Sequence, residues 1–202
     1  GTILGFTELA KNEVPENSEE KEYLEEVYRS GERAADLVSQ LLTFSRLEDP
    51  ELKPIQLSIL IKEVLKMMRA TFPANIEIKQ DLKSVKSLIM ANSTQIHQVI
   101  VNLFSNAEYS MRDKGGIIGI KLEKVKHKKD QFSSSNLKEG TPYLKLSVSD
   151  TGSGMNTEIR DHIFEPFFTT KQVGEGSGLG LSVVHGIVKN HNGEITFKSN
   201  PE

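Results

Sequence analysis

Three motifs follow one another between residues 150 and 181: Asp150-Thr-Gly-Ser-Gly-Met155, Phe164-Glu-Pro-Phe-Phe-Thr-Thr-Lys171 and Gly174-Glu-Gly-Ser-Gly-Leu-Gly-Leu181. An acidic residue ends a predicted strand, two glycine-rich loops flank an aromatic segment, and a predicted helix begins directly after the second loop. A nucleotide pocket needs these parts, because a carboxylate can bind the amine edge of a base and bare N–H groups at a helix N-terminus bind phosphate. The order of the motifs therefore favours a nucleotide-binding domain over unrelated tight turns.

The strand before the first motif indicates where Asp150 points. Leu144, Leu146 and Val148 alternate with polar residues and so share one face of that strand. Asp150 has the same parity, and we expect its carboxylate to point into the apolar layer. A charge in that position requires a partner, which the amine of a base would supply.

A long helix is predicted upstream, from Asn92 or Ser93 to Met111. Its expected core residues are Ile96, Val99, Ile100, Leu103 and Ala107. Asn102 and Asn106 are four residues apart and therefore lie on one helix face. Neutral amide oxygens there can ligate Mg²⁺ without adding negative charge beside a triphosphate. Two solvated asparagines on an exposed helix would be the simpler interpretation of this pair alone, but the motifs that follow favour a binding site.

The rest of the second part of the chain alternates between predicted helices and strands. Strands are expected at residues 76–82, 87–91, 117–125, 143–149 and 194–198, and helices at 58–71, capped by Ser58, and at 179–192. Residues 126–141 are polar and charged and are expected to form a long hairpin loop. This pattern predicts an α/β domain.

The first part of the chain predicts two helices. Residues 3–10 are apolar at helical spacing, residues 12–18 form a turn that contains Pro15, and a second helix is expected to run to about Leu47. Its stripe alternates steps of three and four residues: Leu24, Val27, Gly31, Ala34, Val38, Leu41 and Ser45. This spacing suits a helical hairpin that dimerises into a four-helix bundle, or an amphipathic helix packed on its own domain.

Composition excludes several classes of function. The net charge of −3 offers no basic face for nucleic acid. The absence of cysteine rules out disulfides and thiolate metal sites within this sequence. No apolar run reaches the roughly 18 residues that span a bilayer. Gly1 begins inside an apolar stretch without a start methionine, so we expect the sequence to be a fragment of a longer protein.

These motifs resemble those of two-component sensor histidine kinases, members of the GHKL (HATPase) superfamily. Residues 102–107 (Asn-Leu-Phe-Ser-Asn-Ala) resemble the N box, and the three motifs quoted first resemble the first glycine box, the F box and the second glycine box. Residues 3–9 and 34–46 resemble the dimerisation and phosphotransfer hairpin. The resemblance implies an α+β chain: the hairpin at 1–49, a linker at 50–54, and a two-layer α/β sandwich that binds ATP at 55–202.

The resemblance also implies roles for individual residues. Asp150 would bind the adenine amine beside Gly152 and Gly154, Asn106 would hold Mg²⁺, and Asn102 would lie close to the phosphates. The second glycine box would surround the phosphates with Gly176, Ser177, Gly178, Leu179 and Gly180. Residues 164–178 would form a lid, in which Lys171 either approaches the γ-phosphate or is a solvated charge. The part played by Tyr109 stays open.

The implied activity is transfer of phosphate from Mg·ATP to a histidine and then to an aspartate of a response regulator, by a cytoplasmic homodimer. Related ATPases that hydrolyse ATP place a glutamate base where Asn102 stands, and an amide cannot accept that proton. The phosphoacceptor histidine is expected upstream of Gly1, and the final strand of the domain beyond Glu202. Two alternatives are an ATPase of the same superfamily that uses hydrolysis to drive a clamp, and a non-catalytic dimerisation and docking module.

Overall fold

The computed structural model describes residues 2–45, 51–82, 88–126, 140–171 and 176–200, without the side chains of residues 32, 33 and 35–45. The elements in chain order are α1 (Thr2–Glu13), α2 (Glu19–Ser45), β1 (Lys53–Gln56), α3 (Leu57–Arg69), β2 (Ile76–Leu82), β3 (Leu88–Ala91), α4 (Ser93–Ser110), β4 (Gly116–Lys126), β5 (Pro142–Asp150), α5 (Thr157–His162) and α6 (Gly180–Asn190). The mixture of helix and sheet confirms the expected α+β class.

Helices α1 and α2 form the predicted hairpin. The chain turns at Pro15, whose carbonyl oxygen accepts a hydrogen bond from the backbone N–H of Ser18 at 3.2 Å. The Ser18 hydroxyl in turn accepts from the N–H of Lys21 at 3.2 Å and caps α2. Leu4 packs so closely on Gly31 that a methyl group added there would lie 2.7 Å from Leu4 Cδ2. A larger residue at position 31 would therefore require the Leu4 side chain to shift.

Both helices of the hairpin leave large apolar side chains in water. On α1 the exposed fractions are 71% for Ile3, 67% for Phe6 and 61% for Leu9; on α2 they are 65% for Tyr23 and 48% for Val27. Exposed apolar surface on this scale marks an interaction site more often than chance. The side chains of Val38, Leu41 and Ser45, which complete the predicted stripe, lie outside the described residues.

The sheets lie beyond the hairpin. Strands β2, β4 and β5 form one sheet in that order, with β2 parallel and β5 antiparallel to the central β4. Strand β1 pairs antiparallel with β3, matching Lys53 with Ala91 and Gln56 with Leu88. We did not predict β1 from the sequence, and Lys53 and Pro54, which we assigned to the linker, form its first half.

Helices cover one face of the main sheet and create the core. The buried residues of this layer come from three sources: Ile61, Val64, Leu65 and Met68 on α3; Ile100, Phe104, Ala107 and Met111 at α4; and Ile76, Ile118, Ile120 and Leu122 on the strands. Helix α6 packs on the other side of α4 through Val99, Leu179, Val183, Val184 and Ile187. Phe104, fully buried and central, was absent from the core that we predicted.

The start of α4 agrees with the sequence. Asn92 is its N-cap, and the Asn92 side-chain oxygen accepts from the N–H of Gln95 at 3.0 Å. The N–H of Asn92 donates to Nε2 of His191 at 3.1 Å, and the other ring nitrogen of His191 lies 2.8 Å from the carbonyl oxygen of Ile187. Since a carbonyl only accepts, Nδ1 is the donor in the second bond. His191 thus joins the end of α6 to the start of α4.

Loss of this cap should be measurable. Asn92→Ala removes the side-chain acceptor but keeps the backbone bond to His191, so we expect a loss of about 1 kcal/mol in the free energy of unfolding. Chemical denaturation followed by circular dichroism gives this value. Ser93→Ala, at the next and exposed position, is the matched control and should change it by less than about 0.5 kcal/mol. Equal losses in both variants would contradict the cap.

Two further sequence expectations differ from the structure. Helix α3 begins at Leu57 with Gln56 as N-cap, and Ser58 is buried inside its first turn, so Ser58 is not the cap. Residues 194–198 form no strand, because no described strand lies beside them to complete a ladder. Just after this segment, the Ser199 hydroxyl accepts a hydrogen bond from the backbone N–H of Met155 at 2.9 Å.

The long loop predicted at 126–141 lies largely outside the described residues. Strand β4 ends at Lys126 and β5 begins at Pro142, which agrees with the predicted hairpin. Among the helices that the structure describes, none combines the length and the apolar character that crossing a membrane requires.

Candidate nucleotide-binding site

Asp150 is the last residue of β5 and lies opposite Ile118 on β4. Paired residues of antiparallel strands share a face, and Ile118 is fully buried, so the predicted parity of Asp150 is confirmed. The predicted burial is wrong, because Asp150 is exposed. The apolar layer ends at the preceding residues of β5, and the carboxylate stands at its rim, where a ligand can reach it from solvent.

One oxygen of this carboxylate is already engaged. Oδ1 accepts from the hydroxyl of Ser110 at 2.8 Å and from the backbone N–H of Gly152 at 2.9 Å. Two donors use both lone pairs of that oxygen. No donor to Oδ2 is recorded in the described ranges, and Oδ2 is therefore the acceptor that remains for a ligand.

Ser110 was not among the site residues that the sequence predicts. It is the last residue of α4 and lies four residues after Asn106, so a further step of the spacing that singled out Asn102 and Asn106 would have found it. Its carbonyl oxygen also accepts from the N–H of Ser153 at 3.3 Å. A methyl group added at Gly152 would lie 2.6 Å from both the Cβ and the carbonyl oxygen of Ser110. Helix α4 thus touches the first glycine box directly, and Gly152 is required by that contact.

The two asparagines converge on the start of α6. Nδ2 of Asn102 donates to the carbonyl oxygen of Gly180 at 3.2 Å. A methyl group added at Gly180 would lie 3.8 Å from Cγ of Asn102 and 3.9 Å from Nδ2 of Asn106. These are ordinary contacts, so the packing of the described protein does not itself demand a glycine here.

The N-terminus of α6 has no side-chain cap. The first N–H groups of a helix lack partners within the helix and carry partial positive charge. Leu179 precedes the helix and is buried in the core against α4, while its N–H donates to the hydroxyl of Ser177 at 3.3 Å. The role of the Leu179 side chain is therefore packing, and the N–H groups that follow it have the arrangement in which helix N-termini bind anions.

Two glycines of the predicted set adopt left-handed backbone. Gly154 has φ +66° and Gly178 has φ +67°. Gly178 lies against Phe167 of the F box, so that an added methyl group would lie 2.5 Å from the Phe167 carbonyl oxygen and 2.7 Å from its Cα. Phe167 itself has φ +69° and is 63% exposed. The lid segment and the second glycine box therefore meet backbone to backbone, and only a glycine fits at position 178.

Lys171 lies over an aromatic ring. Its Nζ is 4.3 Å from the ring centroid of Tyr109 on α4, within the range of a cation–π interaction. A methyl group added at Gly176 would lie 2.7 Å from Cδ of Lys171, so the Lys171 side chain packs against the second glycine box. Neither of the two positions considered from the sequence, near a γ-phosphate or free in solvent, included this contact with Tyr109.

A histidine and a carboxylate lie close together around the start of the F box. Nδ1 of His162 is 2.8 Å from Oε1 of Glu165. The hydrogen bond to Glu165, and then its negative charge, raise the pKa of His162 above the ordinary value of 6.5. A raised pKa in the folded state means that the pair stabilises the fold fully below the unfolded pKa, and that this contribution disappears as the pH rises through the folded pKa.

Titration of His162 by NMR tests this pair. Glu165→Gln should bring the pKa of His162 down towards 6.5, because the charge that favours the imidazolium is lost. Glu63→Gln, an exposed glutamate on α3, should leave it unchanged. A His162 pKa that does not respond to Glu165→Gln would contradict the pair.

The donor set is compatible with Mg²⁺ that arrives with a nucleotide. Within the described ranges, no group of three or more His, Cys, Asp or Glu residues could hold a metal ion by itself. Asn106 offers a neutral amide beside Gly180. Mg²⁺ keeps several waters and commonly takes its remaining ligands from phosphates and one or two side chains, which fits an ion shared between Asn106 and a triphosphate.

Comparison with protein families finds two matches. Residues 91–202 match the family described as histidine kinase-, DNA gyrase B-, and HSP90-like ATPase. Residues 1–50 match the His Kinase A (phospho-acceptor) domain. Residues 51–90 lie outside both matches.

Individual relatives are sensor kinases. The chain is 35% identical over 170 residues to sensor kinase CckA of Brucella abortus (strain 2308), covering 84% of this chain and 18% of that protein. Full-length ShkA, solved with AMPPNP, has a TM-score of 0.65 at 24% identity, covering 93% of this chain and 37% of that one. ThkA, solved with the response regulator protein TrrA, has a TM-score of 0.63 at 24% identity, covering 95% and 51%. The two structures show that the fold is shared.

Proposed function

The chain belongs to the two-component sensor histidine kinases, within the histidine kinase-, DNA gyrase B- and HSP90-like ATPase family, and from this we propose that it binds Mg·ATP and supplies the γ-phosphate to a histidine. The observation that carries the proposal is the arrangement around α4. Asp150 lies at its C-terminal end through Ser110, and the uncapped start of α6 lies beside Asn102 and Asn106.

Each part of a nucleotide has a matching group in this arrangement. The open Oδ2 of Asp150 accepts from the adenine amine, and Gly154 leaves space for the ring. The N–H groups at the start of α6 bind the phosphates, and Gly176, Ser177 and Gly178 close the loop around them. Gly180 is explained by the phosphate, since the protein alone leaves room for a methyl group there. Asn106 would hold Mg²⁺, and the ion would supply positive charge beside the phosphates.

The chemistry of Asn102 favours transfer over hydrolysis. Its amide donates to the Gly180 carbonyl oxygen, and an amide has no basicity with which to activate water. The nucleophile is instead an imidazole nitrogen of a histidine on the hairpin, upstream of Gly1. It attacks the γ-phosphorus in line, the new N–P bond forms, and the P–O bond to ADP breaks. A response-regulator aspartate then takes the phosphoryl group.

We propose the hairpin up to residue 49 as the dimerisation and phosphotransfer domain and the remainder as the ATP-binding domain. Because β1 pairs with β3 from Lys53 onwards, the linker between them ends by residue 52. The exposed Ile3, Phe6 and Leu9 on α1 and Tyr23 and Val27 on α2 give a second copy of the hairpin an apolar face to cover. Burial of this face would drive formation of a four-helix bundle.

The partners follow from the same activity. The chain spans 18% of the length of CckA, and the response regulator is the partner that we propose for the phosphotransfer step. We place the kinase core in the cytoplasm, where ATP and response regulators are found. Lys171 at the lid reaches the γ-phosphate when it leaves the ring of Tyr109.

Calorimetric titration of this chain with Mg·AMPPNP tests the proposed function. We expect saturable binding at one site per chain that requires Mg²⁺ and is competed by ADP. If neither this chain nor a version extended beyond Glu202 binds the nucleotide, the docking interpretation replaces the kinase one. If the nucleotide binds, the next step is to include the upstream histidine and look for phosphotransfer.

A further inference from the structure

The hydroxyl of Ser110 contacts the carboxylate of Asp150, the group that we propose to bind the adenine base. This hydroxyl lies 2.8 Å from Oδ1 of Asp150 and 2.8 Å from the carbonyl oxygen of Ala107. An ionised carboxylate has no proton to give, so Ser110 is the donor in the first pair. A hydrogen bond to a charged acceptor is about twice as strong as one between neutral groups, so the hydroxyl proton favours Asp150.

The position of Ser110 is fixed by further contacts. Its carbonyl oxygen accepts from the N–H of Ser153 at 3.3 Å, and its side chain fills the space that a side chain at Gly152 would occupy. The first glycine box therefore packs directly on Ser110. Its contacts lie on the same side of Ser110 as the bond from the hydroxyl to Oδ1. Together with the N–H of Gly152 at 2.9 Å, the hydroxyl occupies both lone pairs of Oδ1.

We propose that Ser110 is a positioning residue that makes Asp150 a single acceptor and thereby selects adenine over guanine. The inference rests on the proposed function and concerns the base that the same pocket takes. Adenine presents one amine to the carboxylate, which Oδ2 alone can accept. Guanine presents two adjacent donors, N1–H and the 2-amine, and a carboxylate binds such a pair with both oxygens. A saturated Oδ1 prevents that arrangement.

Removal of the hydroxyl should change the selectivity and not only the affinity. In Ser110→Ala, Oδ1 keeps the Gly152 N–H but regains one lone pair, so guanine can be bound through both oxygens. The carboxylate also loses one of the two hydrogen bonds that hold it in place, which weakens its hydrogen bond with the adenine amine. We expect the ratio of ATP to GTP affinity to fall about tenfold or more, equivalent to one hydrogen bond to a charged group.

The experiment compares three Mg-bound nucleotides by calorimetry: AMPPNP, the guanine analogue GMPPNP, and purine riboside triphosphate, which lacks the 6-amine. Ser110→Ala should lower the affinity for AMPPNP and raise the affinity for GMPPNP relative to that for AMPPNP. The affinity for purine riboside triphosphate should change by no more than about twofold, because that nucleotide offers no amine to Asp150. Ser105→Ala, which removes a half-buried hydroxyl from the same helix, should leave all ratios unchanged.

Two results would overturn the inference alone. If Ser110→Ala lowers the affinities for AMPPNP and for purine riboside triphosphate by the same factor, Ser110 only supports the fold of the loop. If the AMPPNP to GMPPNP ratio stays as in the unmodified chain, Ser110 does not set the base. Failure of the unmodified chain, and of its extended version, to bind AMPPNP would overturn the proposed function and this inference with it.

Discussion

Replacing Asp150 with asparagine is expected to lower the affinity for Mg·AMPPNP by about 100-fold or more. The donors on Oδ1, the hydroxyl of Ser110 and the N–H of Gly152, would hold the amide oxygen of the new side chain in that position. The amide nitrogen would then stand where Oδ2 stood and face the adenine amine, donor against donor. Loss of a hydrogen bond to a charged group, about 1.5–3 kcal/mol, adds to the cost of two unpaired donors, and each 1.4 kcal/mol is about tenfold in affinity.

The matched control is Asp81→Asn, an exposed aspartate on β2. It makes the same change of charge away from the site and should bind the nucleotide as the unmodified chain does. Thermal unfolding of both variants checks that the fold is retained. Binding by Asp150→Asn within about threefold of the unmodified chain would show that Asp150 does not bind the base.

The second large effect is expected from Gly178→Ala. The residue has φ +67°, where an L side chain costs about 1–2 kcal/mol. The added methyl group would also lie 2.5 Å from the carbonyl oxygen of Phe167, a backbone atom that cannot turn aside. The second glycine box must therefore move away from the F box, which shifts the loop before α6. We expect nucleotide affinity to fall by at least about 100-fold, the equivalent of about 2.7 kcal/mol.

The control Gly140→Ala distinguishes the effect of backbone strain from the effect of a steric clash. Gly140 also has positive φ, +74°, but no atom lies within 4 Å of an added methyl group. This control should lose about 1–2 kcal/mol of stability from backbone strain and bind the nucleotide normally. If Gly178→Ala binds as well as Gly140→Ala, the contact between the lid and the second glycine box has no part in binding.

Local patterns were sufficient to predict most elements and the order of the site. The capping asparagine at 92 was found because the cap is a contact within a few residues of chain. The face of Asp150 was found because alternation along a strand is local too. The asparagine pair was found by spacing on one helix, and both members do lie at the start of α6.

What the sequence could not predict depends on contacts between distant residues. Ser110 donates a hydrogen bond to Asp150, forty positions away. The ring of Tyr109 contacts Lys171 of the F box. The exposure of Asp150 depends on where α4 ends above the sheet, which no alternation pattern contains. The same holds for residues 194–198, whose composition suits a strand but which have no described neighbour with which to pair. A stretch of chain becomes a strand only when another strand pairs with it. Strand β1 was missed because its pairing with β3 is a contact between distant residues.

The central claim is that this pocket holds Mg·ATP for transfer to histidine and not for hydrolysis. The most direct test incubates the protein, with its sequence upstream of Gly1 included, with ATP labelled on the γ-phosphate and follows protein-bound label and free phosphate together. We predict label on a hairpin histidine, stable in alkali and lost in acid, that passes to a response-regulator aspartate, with little free phosphate before transfer. Rapid release of phosphate from a protein that is never labelled would contradict the claim.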